Sequence, residues 1–392
     1  MNYIIFEDKN FKSLSPFTDL HATFELRTGA FTNIDRILYQ ISDDDTIQLY
    51  VREEIEDIIR EKYPSIDVNP KTFNSGIYIN GTSICYFDDF KNLDRNLSYS
   101  NPNALITFSS NEDCNREDID NLVKDKSSIC SKSDIQSVEY LWDIFDVLSD
   151  TIKRDYNLLY DYKNGILHPS CILIREDNII INNNAEVLAG SVLDASNGPI
   201  IVGEGAKLDI GILIKGPVYI GKRSIVNPGS KIIGPVSIGP FCKLGGEIED
   251  SVISGFSNKQ HDGFLGHSYI GEWVNLGANT NTSDLKNNYS NIRLQLDKNN
   301  EIDTNKMFIG SIIGDFSCTA ISTKLNTGTY IGTGSNVFNH IFDKKYIAPF
   351  SWGDNDRVGL NRFIKTCQII MSRRNKELSE ALKNRLINLW KK

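Results

Sequence analysis

No two of the seven cysteines (positions 85, 114, 130, 171, 242, 318 and 367) stand in a C-x-x-C pair, and their number is odd. A disulfide framework and a thiolate zinc site are both excluded by that spacing, and free thiols in a reducing compartment are expected. The amino terminus, MNYIIFEDKNFK, has no basic stretch leading into a long apolar one, so no secretory signal is expected. No run approaches the ~18–20 apolar residues that cross a bilayer. A cytoplasmic protein without a membrane partner is expected. Positive charge is short as well, with 42 Lys and Arg against 51 Asp and Glu and a formal net charge of −9. A general nucleic-acid binder needs a basic surface and is excluded; a small anionic substrate needs only a local basic cluster. Neither G-x-G-x-x-G nor G-x-x-x-x-G-K-[ST] occurs.

What is present divides into two textures. Residues 1–165 alternate strand and helix signals. YIIF (3–6), TIQLYV (46–51), GIYINGTSICYF (76–87) and NALITF (103–108) read as strands. A helix is expected after Thr32, with Asp35 as its capping partner. EEIEDIIREKY (53–63) and SVEYLWDIFDVLSDTIKRDYNLLYDY (137–162) have helical periodicity. The alternation predicts an α/β sandwich around a largely parallel sheet, with ligands beyond the carboxyl ends of the strands. In ELRTG (25–29), Arg27 either grips a phosphate bidentately or caps a helix or makes an ion pair.

From residue 202 every sixth position is aliphatic: Val202, Leu208, Ile214, Ile220, Val226, Ile232, Ile238 and Leu244. A period of six belongs to neither a helix nor an isolated strand; it marks a parallel β-helix with three short strands per triangular coil. Gly follows the aliphatic residue at 203, 221, 239 and 245, where it is expected to supply corner dihedrals closed to other residues. Chains with this hexapeptide resemble left-handed β-helices, which are usually trimers. After Leu244 the phase is lost, to return at Ile270 and Leu276. The offset of 26 reads as four hexapeptides plus two residues, hence as inserted chain around SNKQHDGFLG (257–266). A second irregular stretch, 282–308, precedes the return of the period at Ile313, Leu325, Ile331 and Val337. Two excursions from a rigid prism are therefore expected, and such loops concentrate chemistry.

The first of them presents Lys259, His261, Asp262 and His267. An imidazole exchanges protons near neutral pH, as an amine attacking a thioester requires. His261 is read either as that base or as a residue tying the loop to the prism. A zinc site from His261, His267 and His340 is the weaker reading. Residues 359–392 read as one basic amphipathic helix.

The stretch 257–289 resembles the acetyltransferase half of the bifunctional N-acetylglucosamine-1-phosphate uridylyltransferase/glucosamine-1-phosphate acetyltransferase family. The pattern there is S-K-x-x-H, then Y-L-G-x-x-x-I-G, then N-I-G-A-G-T. Ser257, His261, Leu265-Gly266, Ile270-Gly271 and Asn275-Leu276-Gly277-Ala278 fall at matching spacing. The whole chain is most similar to an alternative, Bacteroidetes-type branch, through SNK-x-HDGFLG (257–266), GEW-x-NLGA (271–278), SDLKNNY (283–289) and FSWG (350–353). WDIF (142–145), GPI-x-VG (198–203) and GGEI (245–248) match too. The amino-terminal motif, P-L-T-x-x-R-P-x-x-E-[IL]-R-x-G, is kept in part: PFTDLHATFELRTG (16–29) retains Arg27 but has His21-Ala22 in place of Arg-Pro.

The resemblance implies a nucleotidyltransferase-like α/β domain (1–165), a left-handed β-helix acyltransferase domain (166–345) and a tail with a basic helix (346–392). It makes His261 the general base, places Asn275 at the acceptor sugar and Ala278 near the acetyl-coenzyme A thioester. Phe264 stands where a tyrosine touches the sugar phosphate, and Lys259 and Lys286 are the available substitutes for the family's phosphate-holding Arg and Lys. It implies acetyl-coenzyme A as co-substrate, Mg²⁺ with a nucleoside triphosphate, no resident metal, sugar-phosphate and nucleotide partners, and a homotrimer. A single-activity nucleotidyltransferase, an acyltransferase on another amino sugar and a non-catalytic scaffold are the alternatives.

Overall fold

A computed structural model describes residues 1–90, 98–100, 105–127, 131–132, 134–160, 164–338, 344–354 and 356–392. They form two units. The first holds Met1–Leu26, Phe31–Asp143 and Ser379–Lys392; the second holds Arg27–Ala30 and Ile144–Leu378.

In the first unit Tyr3 to Phe6 are buried on both faces, as expected for a central strand. This strand, β1 (Asn2–Phe6), pairs in parallel with β2 (Thr46–Tyr50) and with β4 (Gly76–Asn80), and β2 pairs in parallel with β3 (Asp67–Val68). Beyond β4 the sheet changes sense. Both β5 (Tyr99–Ser100) and β4 run antiparallel to β6 (Leu105–Ser110), and β7 (Ser131–Lys132) closes the edge beside β5. The sheet is therefore mixed and, as expected, largely parallel, with four parallel pairings and two antiparallel. Helices α1 (Asn33–Gln40) and α2 (Glu56–Lys62) border one core, with Ile5, Ile34, Leu49 and Ile59 at its centre. Ile4, Phe6, Tyr78 and Phe108 fill the other face of the sheet, the period-2 division of a strand. Thr32 caps α1 as the sequence suggests, its hydroxyl accepting from the Asp35 N–H at 3.1 Å.

The run 76–87 is not one strand. Asn80 turns its carboxamide back onto the Thr82 N–H (3.0 Å), an Asx turn that ends β4; the chain resumes as α3 (Phe87–Phe90). Helix α4 (Arg116–Ser127) follows β6. The long helical pattern of 137–162 opens with a 3-10 turn at Leu141–Asp143, and only α5 (Ile144–Leu159) is α-helical. Helix α5 belongs to the second unit, where it packs against the strand Val236–Ile238. The tail is two helices rather than one. Helix α6 (Leu360–Ser372) is in the second unit and α7 (Glu380–Lys391) in the first, against α2. Asn375, at φ 54°, lies in the break, and Ser379 caps α7 through the Leu382 N–H. Among the described residues no helix is long and apolar enough to cross a membrane.

The second unit is a β-helix. Nine parallel strands build one face, from Ile179–Ile181 to Tyr346–Ile347, and two further faces run beside it. All eight periodic aliphatics from Val202 to Leu244 point into the prism, with 2% exposure or less. Partners in successive coils lie 18 residues apart, as in Val202↔Ile220 and Val226↔Leu244. Stability then accumulates coil by coil from one continuous aliphatic column.

The corner glycines serve a different need from the expected one. None of Gly203, Gly221, Gly239 and Gly245 has a left-handed backbone. They are required by close approach: a Cβ on Gly239 would lie 1.1 Å from the Ser254 carbonyl oxygen. The left-handed corner residues are mostly not glycine. Phe241, Phe256, Trp273 and Phe316 take that conformation in successive coils. Their rings stack outside the prism at centroid spacings of 5.2, 4.3 and 6.1 Å. Phe363 of α6 meets Phe316 edge-on.

The registers also correct the reading of 257–266 as an excursion. Ile232 pairs with Ile248, Ile238 with Ile253, Leu244 with Lys259, Ile248 with Leu265 and Ile253 with Ile270. Inward positions after Leu244 are thus 248, 253, 259, 265 and 270. The segment SNKQHDGFLG is an ordinary coil with a full six-residue step from Lys259 to Leu265. The phase was lost by deletion, chiefly at the Gly245-Gly246 corner, which is two residues short. The second stretch is a true insertion: Tyr269 pairs with Ile312, 43 residues on, and the loop carries a hairpin of Arg293–Gln295 with Glu301–Asp303.

Candidate functional site

His261 stands on the corner between the short strands Asn258–Lys259 and Phe264–Gly266. Both His261 and Asp262 are exposed. Asn258 bridges Asn275 on the next coil, so His261 lies in register with Ala278. The Asn279 N–H donates to the Asp262 carbonyl at 2.9 Å and fixes that pairing. On the preceding coil the same corner is Gly245-Gly246, which has no side chains to fill the space beside His261. A Cβ on Gly245 would strike the Gln260 carbonyl oxygen at 2.2 Å. An imidazole is thus held out on a rigid column, between a bare corner and Ala278.

The other predicted residues divide. Phe264 starts the next strand, half-buried, and donates its N–H to Asn281 Oδ1 at 2.8 Å. Asn275 is exposed and accepts from Asn258 Nδ2 at 3.3 Å, while Asn258 Oδ1 accepts from Arg374 at 2.9 Å. Lys259 departs from expectation. It is 3% exposed and occupies the inward position opposite Leu244. Its Nζ donates to the carbonyls of His261 (2.6 Å) and Gly245 (3.1 Å). Burial pulls its pKa from 10.5 down to about 8, against the charge of Asp262. Its ammonium faces those carbonyls rather than an open phosphate site. Lys286 donates to the Asn291 carbonyl within the insertion. Arg27 is 8% exposed; it closes its own turn on the Ala30 carbonyl (2.9 Å) and lies over the Tyr219 ring at 5.6 Å. It neither caps a helix nor pairs with an acid in those contacts.

His267 is not a partner of His261 in a zinc site. Its Nδ1 meets Asp284 Oδ2 at 2.9 Å and its Nε2 faces Asp250 at 3.8 Å. The ring stacks on Phe308 at 5.1 Å. Burial raises the pKa of Asp250, the His267 charge opposing, and burial with the Asp250 charge raises Glu249. Together with Lys306 on Asp146, His267 pins the insertion to the prism and to α5. His340 lies outside the described residues. Among the described residues, no three His, Cys, Asp or Glu side chains converge on a metal position.

In the first unit a polar cluster, unread in the sequence, gathers after β1, β2 and β4. Glu7 pairs with Arg52 and accepts from the Thr23 N–H at 3.1 Å. Burial raises the Glu7 pKa against the Arg52 charge. Arg52 also donates to the His21 carbonyl at 3.0 Å. His21 stacks on Phe17 at 4.9 Å. Glu25 is buried, which alone would raise its pKa, but Lys62 and His21 hold it well below the usual carboxylate range. Asp8, half-buried, accepts from Asn80 Nδ2 at 2.9 Å at the carboxyl ends of β1 and β4. The one sequence signal for this cluster was a pair of acids directly after an apolar run, at 7–8.

Residues 3–163 match the family model described as Sugar nucleotidyl transferase. No curated protein matches the chain. Over that span the chain is similar to sugar nucleotidyltransferases, which supports transfer of a nucleotidyl group to a sugar phosphate.

Proposed function

With a nucleotidyltransferase-like domain as premise, we propose that the chain is a two-site enzyme of nucleotide-sugar synthesis. The β-helix transfers acetyl from acetyl-coenzyme A to the amine of an amino-sugar phosphate, glucosamine 1-phosphate foremost. The first unit transfers uridylyl from UTP to the phosphate of that product, forming a new phosphoanhydride bond and releasing pyrophosphate. The observation that carries the acetyl-transfer reading is the exposed His261 on a corner flanked by Gly245-Gly246 and in register with Ala278.

The chemistry follows from that placement. The His261 imidazole takes a proton as the sugar amine attacks the thioester carbonyl. The tetrahedral oxyanion needs a hydrogen-bond donor, and the Ala278 N–H is our candidate. Collapse expels the coenzyme A thiolate, which takes up a proton, and leaves an amide. Asn275 orients the sugar. In the first unit, Asp8 beside Asn80 suits a Mg²⁺ that is held by one carboxylate, water and substrate phosphates. Bound there, the ion would neutralise charge developing on the phosphates.

A homotrimer and a cytoplasmic setting complete the reading. Ile172, Val192 and Leu213 lie in register on the outer side of one face, with Ile172 and Leu213 exposed; a second copy would cover that stripe. One observation favours a different acceptor. The face that follows His261 carries Glu247 and Glu249, with Asp250 and Asp284 at its edge, and Phe264 has no hydroxyl for a phosphate. An amino sugar without phosphate at that position is the second reading.

The test is thiol release from acetyl-coenzyme A with glucosamine 1-phosphate and with unphosphorylated amino sugars, for wild type and His261→Ala. The substitution is expected to cost roughly 100- to 10,000-fold and to leave the fold intact, since His261 lies outside the column. Equal release by the variant excludes His261 as the base.

A further inference from the structure

Turns at this edge of the prism close in more than one way: the Ile212 N–H goes to Ser191 Oγ (3.2 Å), whereas at 227–230 and 277–280 the backbone closes on itself, Ser230 N–H to Asn227 O (3.3 Å) and Thr280 N–H to Gly277 O (3.1 Å). The matching bond, Gly263 N–H to Gln260 O, is not formed. The Gln260 carbonyl accepts instead from Asn227 Nδ2 at 2.8 Å, across the shortened Gly245-Gly246 corner. The His261 carbonyl accepts from Lys259 Nζ at 2.6 Å, and the same ammonium holds Gly245 O. Gly263, at φ 123°, adds no stiffness of its own.

We propose that Lys259 is a positioning residue for His261: from inside the prism its ammonium holds the carbonyl of His261 and that of the coil beneath, and so fixes the turn on which the imidazole stands. This rests on the acetyl-transfer reading. Charge-assisted bonds are about twice as strong as neutral ones, which suits a turn lacking its own backbone bond. The neighbouring coils face the Lys259 side chain with Leu244 and Leu276, and the bare corner with Gly245-Gly246. Asp262, on the same turn, is the charged group acting on it. As pH rises through about 8 the amine becomes neutral, its two bonds lose their charge assistance, and the turn loosens.

The experiment compares wild type, Lys259→Met, which suits the aliphatic column, and Lys259→Gln, which keeps a neutral donor. Hydrogen exchange of peptides covering 257–264 is followed by mass spectrometry, and acetyl transfer is measured across pH. Lys259→Met is expected to fold, to exchange faster at 260–263, and to lose kcat on the order of 100-fold, the cost of a small misplacement. KM for acetyl-coenzyme A should stay within about twofold, because ground-state binding is not what is lost. Wild-type kcat should fall as pH passes about 8, and this limb should be absent in Lys259→Met. Lys259→Gln should recover part of the protection and of kcat without restoring the limb. Unchanged exchange at 260–263 in both variants overturns the proposal whatever the activity, as does an alkaline limb that survives in Lys259→Met. Wild type without thiol release on any amino sugar sinks the acetyl-transfer reading alone, and the exchange arm still decides whether Lys259 holds the turn.

Discussion

Replacing Lys259 by Met should make the protein more stable at neutral pH and less stable in alkali. A drop in pKa from 10.5 to about 8 means the charged lysine costs the folded chain about 3 kcal/mol. Met removes that cost, and it also removes two hydrogen bonds to carbonyls, each worth about 1 kcal/mol to a neutral amine. At neutral pH the variant should therefore gain about 1 kcal/mol. Below pH 8 the lysine is charged in folded and unfolded chains alike, so the penalty is present in full. Between about 8 and 10.5 the unfolded chain keeps a proton that the folded chain has released, and wild-type stability rises with pH. Above that range both states are neutral, the penalty is gone, and the variant should be about 2 kcal/mol the less stable, having lost only the bonds. Urea unfolding followed by tryptophan fluorescence at about pH 7 and about pH 10.5 reads the difference between the two proteins, in which their other titrating groups cancel. Buried Trp273, stacked on Phe256, supplies a reporter within the column's own unit. A difference that does not change with pH would refute a charge buried at this position.

Two further outcomes follow from the packing. Gly239→Ala should destabilise the β-helix by about 3 kcal/mol or more, seen as a lowered thermal midpoint, because its Cβ would meet a backbone oxygen with no flexible side chain to give way. Lys62→Met should move acid unfolding of the first unit, followed by circular dichroism, to higher pH. The depressed pKa of Glu25 gives stability above the ordinary carboxylate range that is lost as pH falls, and without Lys62 that contribution shrinks.

The aliphatic column was legible because a prism wall presents one inward residue per short strand, and a period of six survives any outward substitution. The phase slip at 245–270 was not, because in a single sequence a deletion of four and an insertion of two leave the same offset against a six-residue count. Only the pairing of Leu244 with Lys259 separates them, and it puts Lys259, expected as a substrate ligand, at a buried inward position. The expectation that His261 lies at the surface was met, since a polar run with no inward aliphatic marks an exposed corner; its chemistry is a proposal. Arg27 could not be placed: its charge suggested a phosphate, while its site under Tyr219 depends on chain nearly two hundred residues away. The tail's apolar stripe announced helix correctly, but the break near Asn375 carries neither Gly nor Pro to mark it.

Helix α7 belongs to the first unit, where Arg385 donates to the Asp19 carbonyl at 2.8 Å. On the ribosome that helix emerges only after the whole β-helix has been synthesised. The unit begun first must therefore wait for the helix that packs on α2, and a nonsense codon near residue 378 would take a helix from the first unit.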